Sequence, residues 1–326
     1  MIPSSPRDRS VWMAKDWDRN KGSVILPHYY GIHLKGIRLI SYMLYCVSYS
    51  FLNKFDMIFC WEAFPAGIIG LIIKFIRKKP LITYIVDNGV NLRRSRSYPS
   101  LIWIKMMTRL QDLVVRHSDK LIIIDDSLMP WLKNRAKKIE VIPFGVKINL
   151  FTKHPKGNDK INVTYFGGFE PHHGVQLVLK ASRILSYRDD LIFNIIGPPK
   201  TLEQKNVKFT GWVPYKELGE YLRNTDIFVV PPYPKYPYVS VITNKLMEAM
   251  ACGKAIIATR IGGIPKFTDS LYLVDPKPEE IAFAINDLIS KPELRKKLAF
   301  NAKQIAENEF NWKINIQKIF CSIKKI

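Results

Sequence analysis

The chain has 326 residues, 47% hydrophobic and 24% charged, with 17 Gly and 21 Pro. That composition excludes disordered, collagen-like and low-complexity proteins, and the length suits two domains of roughly 150 residues each. The 50 Lys and Arg against 28 Asp and Glu leave a net charge of +22. Both halves share the excess, so the expected partner is anionic: a nucleotide, a phosphodiester or an acidic membrane surface.

The first residues show no signal-peptide pattern, and Ser10–Asn20 reads as a helix with no strand before it. The first domain is therefore expected to be short of its opening strand. Asp16 and Asp18 form a D-x-D pair, but two residues apart on a helix they point about 200° from each other, and no metal site is expected. From residue 23 onward, short apolar runs alternate with helix-length segments. The strand candidates are Ser23–Leu26, Asp56–Cys60, Leu81–Val86, Lys120–Ile124 and Glu140–Ile142, with helical patterns near 34–52, 65–77, 100–116 and 127–134. Continuous apolar strands separated by helices imply a parallel sheet covered on both faces. The uncharged stretches Leu39–Leu52 and Ala63–Ile73 fall short of the roughly 20 residues that span a bilayer, so the expected location is cytoplasmic.

Residues 151–160 (FTKHPKGNDK) read as a linker, after which the rhythm restarts. The second set of strands is Asn162–Phe166, Ile192–Ile196, Val207–Thr210, Ile227–Val230, Ala255–Ala258 and Leu271–Val274. The predicted fold is α/β: two doubly wound Rossmann-like domains, residues 1–152 and 153–305. A last segment, 306–326, places Trp312, Ile316, Ile319, Phe320 and Ile323 on one helical face and is expected to dock on the first domain. Cys46, Cys60, Cys252 and Cys321 have no paired spacing, which argues against disulfides and a zinc site.

Chemistry concentrates in Ile227–Phe267, which reads strand, Pro-rich loop, helix, Gly stop, strand and Gly-Gly turn. Thr243 or Asn244 suits an N-cap, Leu246, Met247 and Met250 form an apolar face, and Gly253 suits a C-terminal stop. The first turn of that helix offers free N–H groups and the positive end of the dipole, a seat for a diphosphate. Glu248, about one turn in, is placed to accept hydrogen bonds from ribose hydroxyls. Lys245 can supply positive charge, and Gly167-Gly168 after a strand is a phosphate-loop signal.

Together with YFGGFEPHHGVQLVLKAS, FNIIGPP and SDKLIIIDDSLMPWLKNRAKKIEVIPFGVKINLF, the run EAMACGKAIIAT…GGIP resembles the retaining glycosyltransferases of family 4. The resemblance runs from about residue 56 to the C-terminus. It implies the GT-B fold, with two Rossmann-like domains facing across a cleft, a nucleotide-diphosphate sugar on the C-terminal domain and the acceptor on the N-terminal one. It assigns Glu248 to the second glutamate of an E-x7-E motif. The first glutamate falls at Ser240, and the family's diphosphate-neutralising Arg and Lys fall at Gly168 and His173. In the N-terminal domain the family's His-Asp pair reads Val86-Asp87, leaving Asp87 as the candidate catalytic carboxylate beside Ser240; Glu62 is a second carboxylate at a strand end. The donor set implied is Glu248, Lys245, Asn244, Thr243, Gly167, Gly168, His173 and Gly211.

The expected activity is metal-independent transfer of a sugar from a nucleotide donor to a lipid-linked or glycan acceptor, with no cofactor beyond the donor. Lys105, Arg109 and Arg116 lie along one helix, so an anionic membrane surface is a further expected partner. Two alternatives stand beside this reading: a degenerate nucleotide-binding subunit without transfer, and, ranked last because no recognised motif accompanies the charge, a nucleic-acid-binding protein.

Overall fold

The computed structural model describes residues 11–15, 23–25, 37–86, 101–151, 160–197, 204–233 and 242–324. Two compact units share them: residues 1–142 with 318–326, and residues 143–317.

The first unit contains β1 (Val11–Lys15), β2 (Ser23–Ile25), α1 (Ile37–Leu52), β3 (Met57–Trp61), α2 (Ile68–Arg77) and β4 (Leu81–Ile85). It continues with α3 (Leu101–His117), β5 (Lys120–Ile123), α4 (Met129–Leu132) and β6 (Ile139–Val141). The sheet order is β2-β1-β3-β4-β5-β6, and β3 through β6 are parallel neighbours. Because the chain steps along the sheet in one direction, right-handed crossovers put α2, α3 and α4 on the same face. Strands β3, β4 and β5 are almost wholly buried, with Ile58, Leu81, Tyr84 and Leu121 all at 0% exposure, which is why they read as largely apolar runs, while β6 is half-buried.

One expectation fails here. Val11–Lys15 is not part of a helix over Ser10–Asn20; it is β1, antiparallel to both neighbours, with Met13 opposite Ile25 on one side and Ile58 on the other. Five residues are too few for their pattern to choose between helix and strand. The choice is made by the backbone bonds offered by β3, more than forty residues away in sequence. The sheet is consequently mixed, not wholly parallel. Asp16 and Asp18 lie outside the described residues, as do 152–159 of the expected linker.

The second unit contains β7 (Ile161–Phe166), α5 (Val175–Ile184), β8 (Leu191–Ile196), β9 (Val207–Gly211), α6 (Tyr215–Leu222), β10 (Ile227–Val230) and α7 (Asn244–Ala251). Then follow β11 (Ala255–Thr259), β12 (Tyr272–Val274), α8 (Pro278–Ser290), α9 (Pro292–Asn308) and α10 (Trp312–Ile323), whose last turns fall in the first unit. All six strands are parallel, in the order β12-β11-β10-β7-β8-β9. Side chains alternate between the sheet's two faces, so each strand feeds two cores. Val163, Tyr165, Ile227 and Val229 pack with α5 and α8; Phe166, Phe228 and Val230 pack with α7 and α9. The order reverses at β7, since β8 and β9 lie to one side and β10 to β12 to the other. In an open α/β sheet, the carboxyl ends of the strands at such a reversal form a crevice suited to ligands.

Candidate functional site

The crevice at the ends of β7 and β10 is built by glycines that let three segments approach closely. Gly167, directly after β7, has φ +134 and donates its N–H to Ile196 O at 2.9 Å. A Cβ at Gly167 would stand 2.6 Å from both Cδ and Nζ of Lys245, so the missing side chain is the space in which the lysine lies. Gly174, the N-cap of α5 with φ +71, packs its Cα against the carbonyl of Pro231 at the end of β10. That loop is fastened further by Tyr233 N–H donating to His172 O at 3.1 Å and Thr259 Oγ1 donating to Pro232 O at 2.6 Å. Both positive φ values are ones that residues with a Cβ rarely adopt.

The helix α7 brings the chemistry. Its buried face, Leu246, Met247 and Met250, is at 0% exposure, and Gly253 closes it with φ +62 and an N–H to Met250 O at 3.0 Å. Thr243 has the extended backbone of an N-cap, yet its side chain makes no cap bond and its Oγ1 is buried without a partner among the described residues. The N–H groups of Leu246 and Met247 donate to Thr243 O at 3.0 and 3.4 Å, and those of Asn244 and Lys245 keep their capacity to donate to a ligand.

Two ionisable groups on α7 are withdrawn from water. Lys245 Nζ sits 5.2 Å from the centre of the Tyr165 ring and donates to Tyr165 Oη at 3.5 Å. Burial pulls its pKa down to about 8, against the opposing pull of Glu170 and Glu248. Glu248 is 7% exposed; burial pushes its carboxyl up to about 7, while a hydrogen bond from the Tyr215 hydroxyl and the charge of Lys245 act to lower it. A cation and a carboxylate whose charged forms are both disfavoured by desolvation are ready to gain from a polar ligand that completes their surroundings. Tyr165 Oη in turn donates to Gly168 O at 2.6 Å, which ties the loop after β7 to the same network.

The structure thus brings together Gly167, Gly168, Thr243, Lys245 and Glu248 of the sequence-derived set. Asn244 is exposed at the first position of α7. His173 stands beside the loop with Nε2 3.3 Å from Glu170 Oε2 and its ring 4.1 Å from that of His172. Gly211 ends β9 with φ +78, its carbonyl accepting from Gly197 N–H at 2.8 Å, and a Cβ there would meet nothing within 4 Å. Asp87 and Ser240 lie outside the described residues. Glu62 has φ 75 and its Oε1 accepts the N–H of Val86 at 2.9 Å, so this carboxylate is engaged with the backbone just after β4. Among the described residues no group of three His, Cys, Asp or Glu could hold a metal ion.

Sequence reasoning missed Tyr165, Tyr215 and Glu170. Tyr165 reads as one more apolar position of a strand, and only its hydroxyl at the strand's end distinguishes it. Tyr215 opens α6 after Pro214, and nothing local signals that its hydroxyl meets a helix more than twenty-five residues on.

Residues 146–305 match the family described as "Glycosyl transferases group 1". Over 313 residues the chain is 26% identical to an uncharacterized glycosyltransferase of Methanocaldococcus jannaschii, covering 90% of this chain and 82% of that protein. In structure it is similar to sucrose-phosphate synthase from Thermosynechococcus elongatus, with TM-score 0.73, 17% identity and coverage of 99% of this chain and 86% of the other. It is also similar to HepE of Anabaena, a crystal structure described as a complex with UDP and glucose, with TM-score 0.72, 18% identity and coverage of 91% and 84%.

Proposed function

We propose, for a chain that has the GT-B fold and is related to the group 1 and family 4 glycosyltransferases, that it transfers a sugar from a nucleotide-diphosphate donor seated at the end of β7 to a lipid-linked or glycan acceptor. The observation that carries this reading is the pair on α7. Lys245 and Glu248, one helical turn apart, are both desolvated beside a helix N-terminus at the reversal point of a parallel sheet.

The roles follow from the chemistry of each group. Glu248, ionised, accepts from the ribose hydroxyls. The Lys245 side chain and the N–H groups of Asn244 and Lys245 at the start of α7 stabilise the diphosphate, and Gly167 leaves the lysine the space in which it lies. In the reaction the bond between the anomeric carbon and the diphosphate oxygen breaks and the nucleoside diphosphate leaves with the electron pair. A hydroxyl oxygen of the acceptor then bonds to the anomeric carbon and releases its proton. Charge builds on the leaving diphosphate in the transition state, which is where preorganised donors are most effective. Ser240 is the candidate contact to the sugar and Asp87 the candidate carboxylate for the acceptor side. Configuration at the anomeric carbon is retained in this reading, no metal takes part, and the enzyme works at the cytoplasmic face of a membrane.

Titration calorimetry with UDP, GDP and ADP tests the donor site, with UDP first because HepE is described with that nucleotide. Incubation of the matching nucleotide sugar with candidate acceptors then tests transfer, and NMR of the anomeric proton in the product tests retention. Binding of no nucleotide would overturn the reading; nucleotide binding without turnover would leave the degenerate subunit in its place.

A further inference from the structure

The layer of α1, α2 and α3 covers one face of the first unit's sheet with α2 in the middle, packed on both neighbours. Its inner side is core, with Cys46, Ile69, Ile73, Val114 and Val115 all at most 2% exposed. Its outer side should then be polar, as on an ordinary surface helix. It is not. On α1 the exposed stripe is Ile40, Leu44, Phe51 and Leu52, the last at 83%. On α2 it is Phe75 and Ile76, and on α3 it is Ile102, Met106 and Leu113, with Ile102 at 80%.

These positions form one surface. The guanidinium of Arg77 on α2 lies 5.3 Å from the ring of Phe51 on α1, and the Phe75 ring meets His117 of α3 edge-on at 5.7 Å. A groove on α3 is lined by Ile102, Lys105, Met106, Arg109 and Leu110, so apolar and basic side chains alternate along it. The charge is one-sided. The three helices contain one carboxylate, Asp112, and it is held by Arg135 at 2.6 Å; Asp119, just beyond α3, is held by Lys74 at 2.6 Å. Lys105, Arg109 and Arg116 are exposed, as is Lys78 after α2. A surface that is apolar, basic and free of unpaired acid along three adjacent helices is complementary to a bilayer bearing anionic headgroups, where aromatic and aliphatic tips enter the acyl boundary and Lys and Arg meet phosphate.

We infer that the outer face of α1, α2 and α3 is a membrane-docking surface for an anionic lipid bilayer, held by shallow insertion of its apolar side chains as well as by charge. This deepens the proposed function by naming the surface that would bring a lipid-linked acceptor to the enzyme, but it rests on the first unit alone and is separable from the donor site. No helix among the described residues is long and apolar enough to cross a membrane, so the attachment inferred is to one leaflet.

The test is co-sedimentation of the full chain with vesicles of phosphatidylcholine alone and with added phosphatidylglycerol, over a range of salt, with nucleotide titration on the same preparations. Wild type is expected to bind the phosphatidylglycerol vesicles, to weaken as salt rises and to keep a salt-resistant fraction. Neutralising Lys105, Arg109 and Arg116 to Gln should remove the salt-sensitive part, about fivefold per charge. Ile102→Ser with Met106→Ser and Leu113→Ser should instead remove the salt-resistant part. Nucleotide affinity, a property of the second unit, is expected to stay unchanged in both variants, and an unchanged circular dichroism spectrum and melting curve show that the first unit still folds. Failure of wild type to bind either vesicle would overturn the inference, as would equal binding by all three proteins. So would a concentration-dependent dimer that the serine variant dissolves, since that would identify the face as a protein interface. Vesicle binding without nucleotide binding would sink the donor-site reading and leave this one standing.

Discussion

Helices α3 and α7 both carry basic side chains, and they use them in opposite ways. On α3, Lys105, Arg109 and Arg116 are exposed to water among the exposed apolar side chains Ile102, Met106 and Leu113. On α7, Lys245 is folded into the gap left by Gly167, over the ring of Tyr165, with Glu248 beneath a tyrosine hydroxyl. Charges in water are screened within about 8–10 Å and each contributes little alone; they act by number and suit a broad partner. A desolvated charge is costly to the unliganded protein and correspondingly strong toward a ligand that completes its environment. The difference teaches that a net charge of +22 says little until burial sorts it.

The largest effect that would break this comparison is at Glu248. Glu248→Ala removes a carboxylate whose charge-assisted hydrogen bonds to a ribose contribute about 1.5–3 kcal/mol each, so nucleotide affinity measured by calorimetry should fall by about a hundredfold or more with the fold intact. Unchanged affinity would mean that the burial of Glu248 is structural.

Lys245→Met sets stability against binding. Replacing a desolvated cation by an apolar side chain of similar length should leave thermal stability unchanged or raise it, while affinity for a nucleoside diphosphate falls about tenfold to a hundredfold. A variant that both melts earlier and binds as before would place Lys245 in the scaffold.

The same pair sets a pH profile. Binding draws on ionised Glu248 and protonated Lys245, with pKa values near 7 and 8 in the unliganded protein. Affinity should therefore rise as pH climbs through about 7 and fall again above about 8, and Glu248→Gln should flatten the acid limb. The signs for stability are opposite. The native protein keeps the Glu248 proton between 4.5 and about 7, where the unfolded chain has lost it, so this group's contribution to stability is present at low pH and lost as pH rises through that window. Lys245 is deprotonated in the native protein between about 8 and 10.5, where the unfolded chain keeps its proton, so its contribution increases with pH there. Melting curves from pH 5 to pH 10 on wild type and the two variants check both directions.

How legible the sequence was follows the same division between local and long-range causes. Helix α7 was readable because its apolar face repeats at helical spacing and Gly253 stops it with a positive φ, and the central strands β10 and β11 of the second unit were readable because burial on both faces leaves them almost wholly apolar. Val11–Lys15 was not, because its pairing partner in β3 is remote in sequence. The desolvation of Lys245 was hidden for a like reason: it depends on the absent side chain at Gly167 and on Tyr165, both about eighty residues upstream. Glu248 could be located from its motif, but its tyrosine partner at 215 could not, since a hydroxyl opening a helix after Pro214 carries no local mark of the group it meets.

The smallest expected effect completes the contrast. Neutralising Lys105, Arg109 and Arg116 together removes three charges from the protein, more than any change proposed on α7, yet no ion pair of theirs is found among the described residues and all three side chains lie in water. Surface substitutions away from caps and networks stay within about 0.5 kcal/mol each, and Arg116 alone stands in the last turn of α3, where a cation gains about 0.3–1 kcal/mol from the helix dipole. Thermal melting of the triple Gln variant should then shift by no more than a few degrees, and most of that shift should appear in Arg116→Gln alone. If the triple variant instead melts as early as a core variant does, the three cations are tied into the packing of the first unit, and the distinction drawn between α3 and α7 is lost.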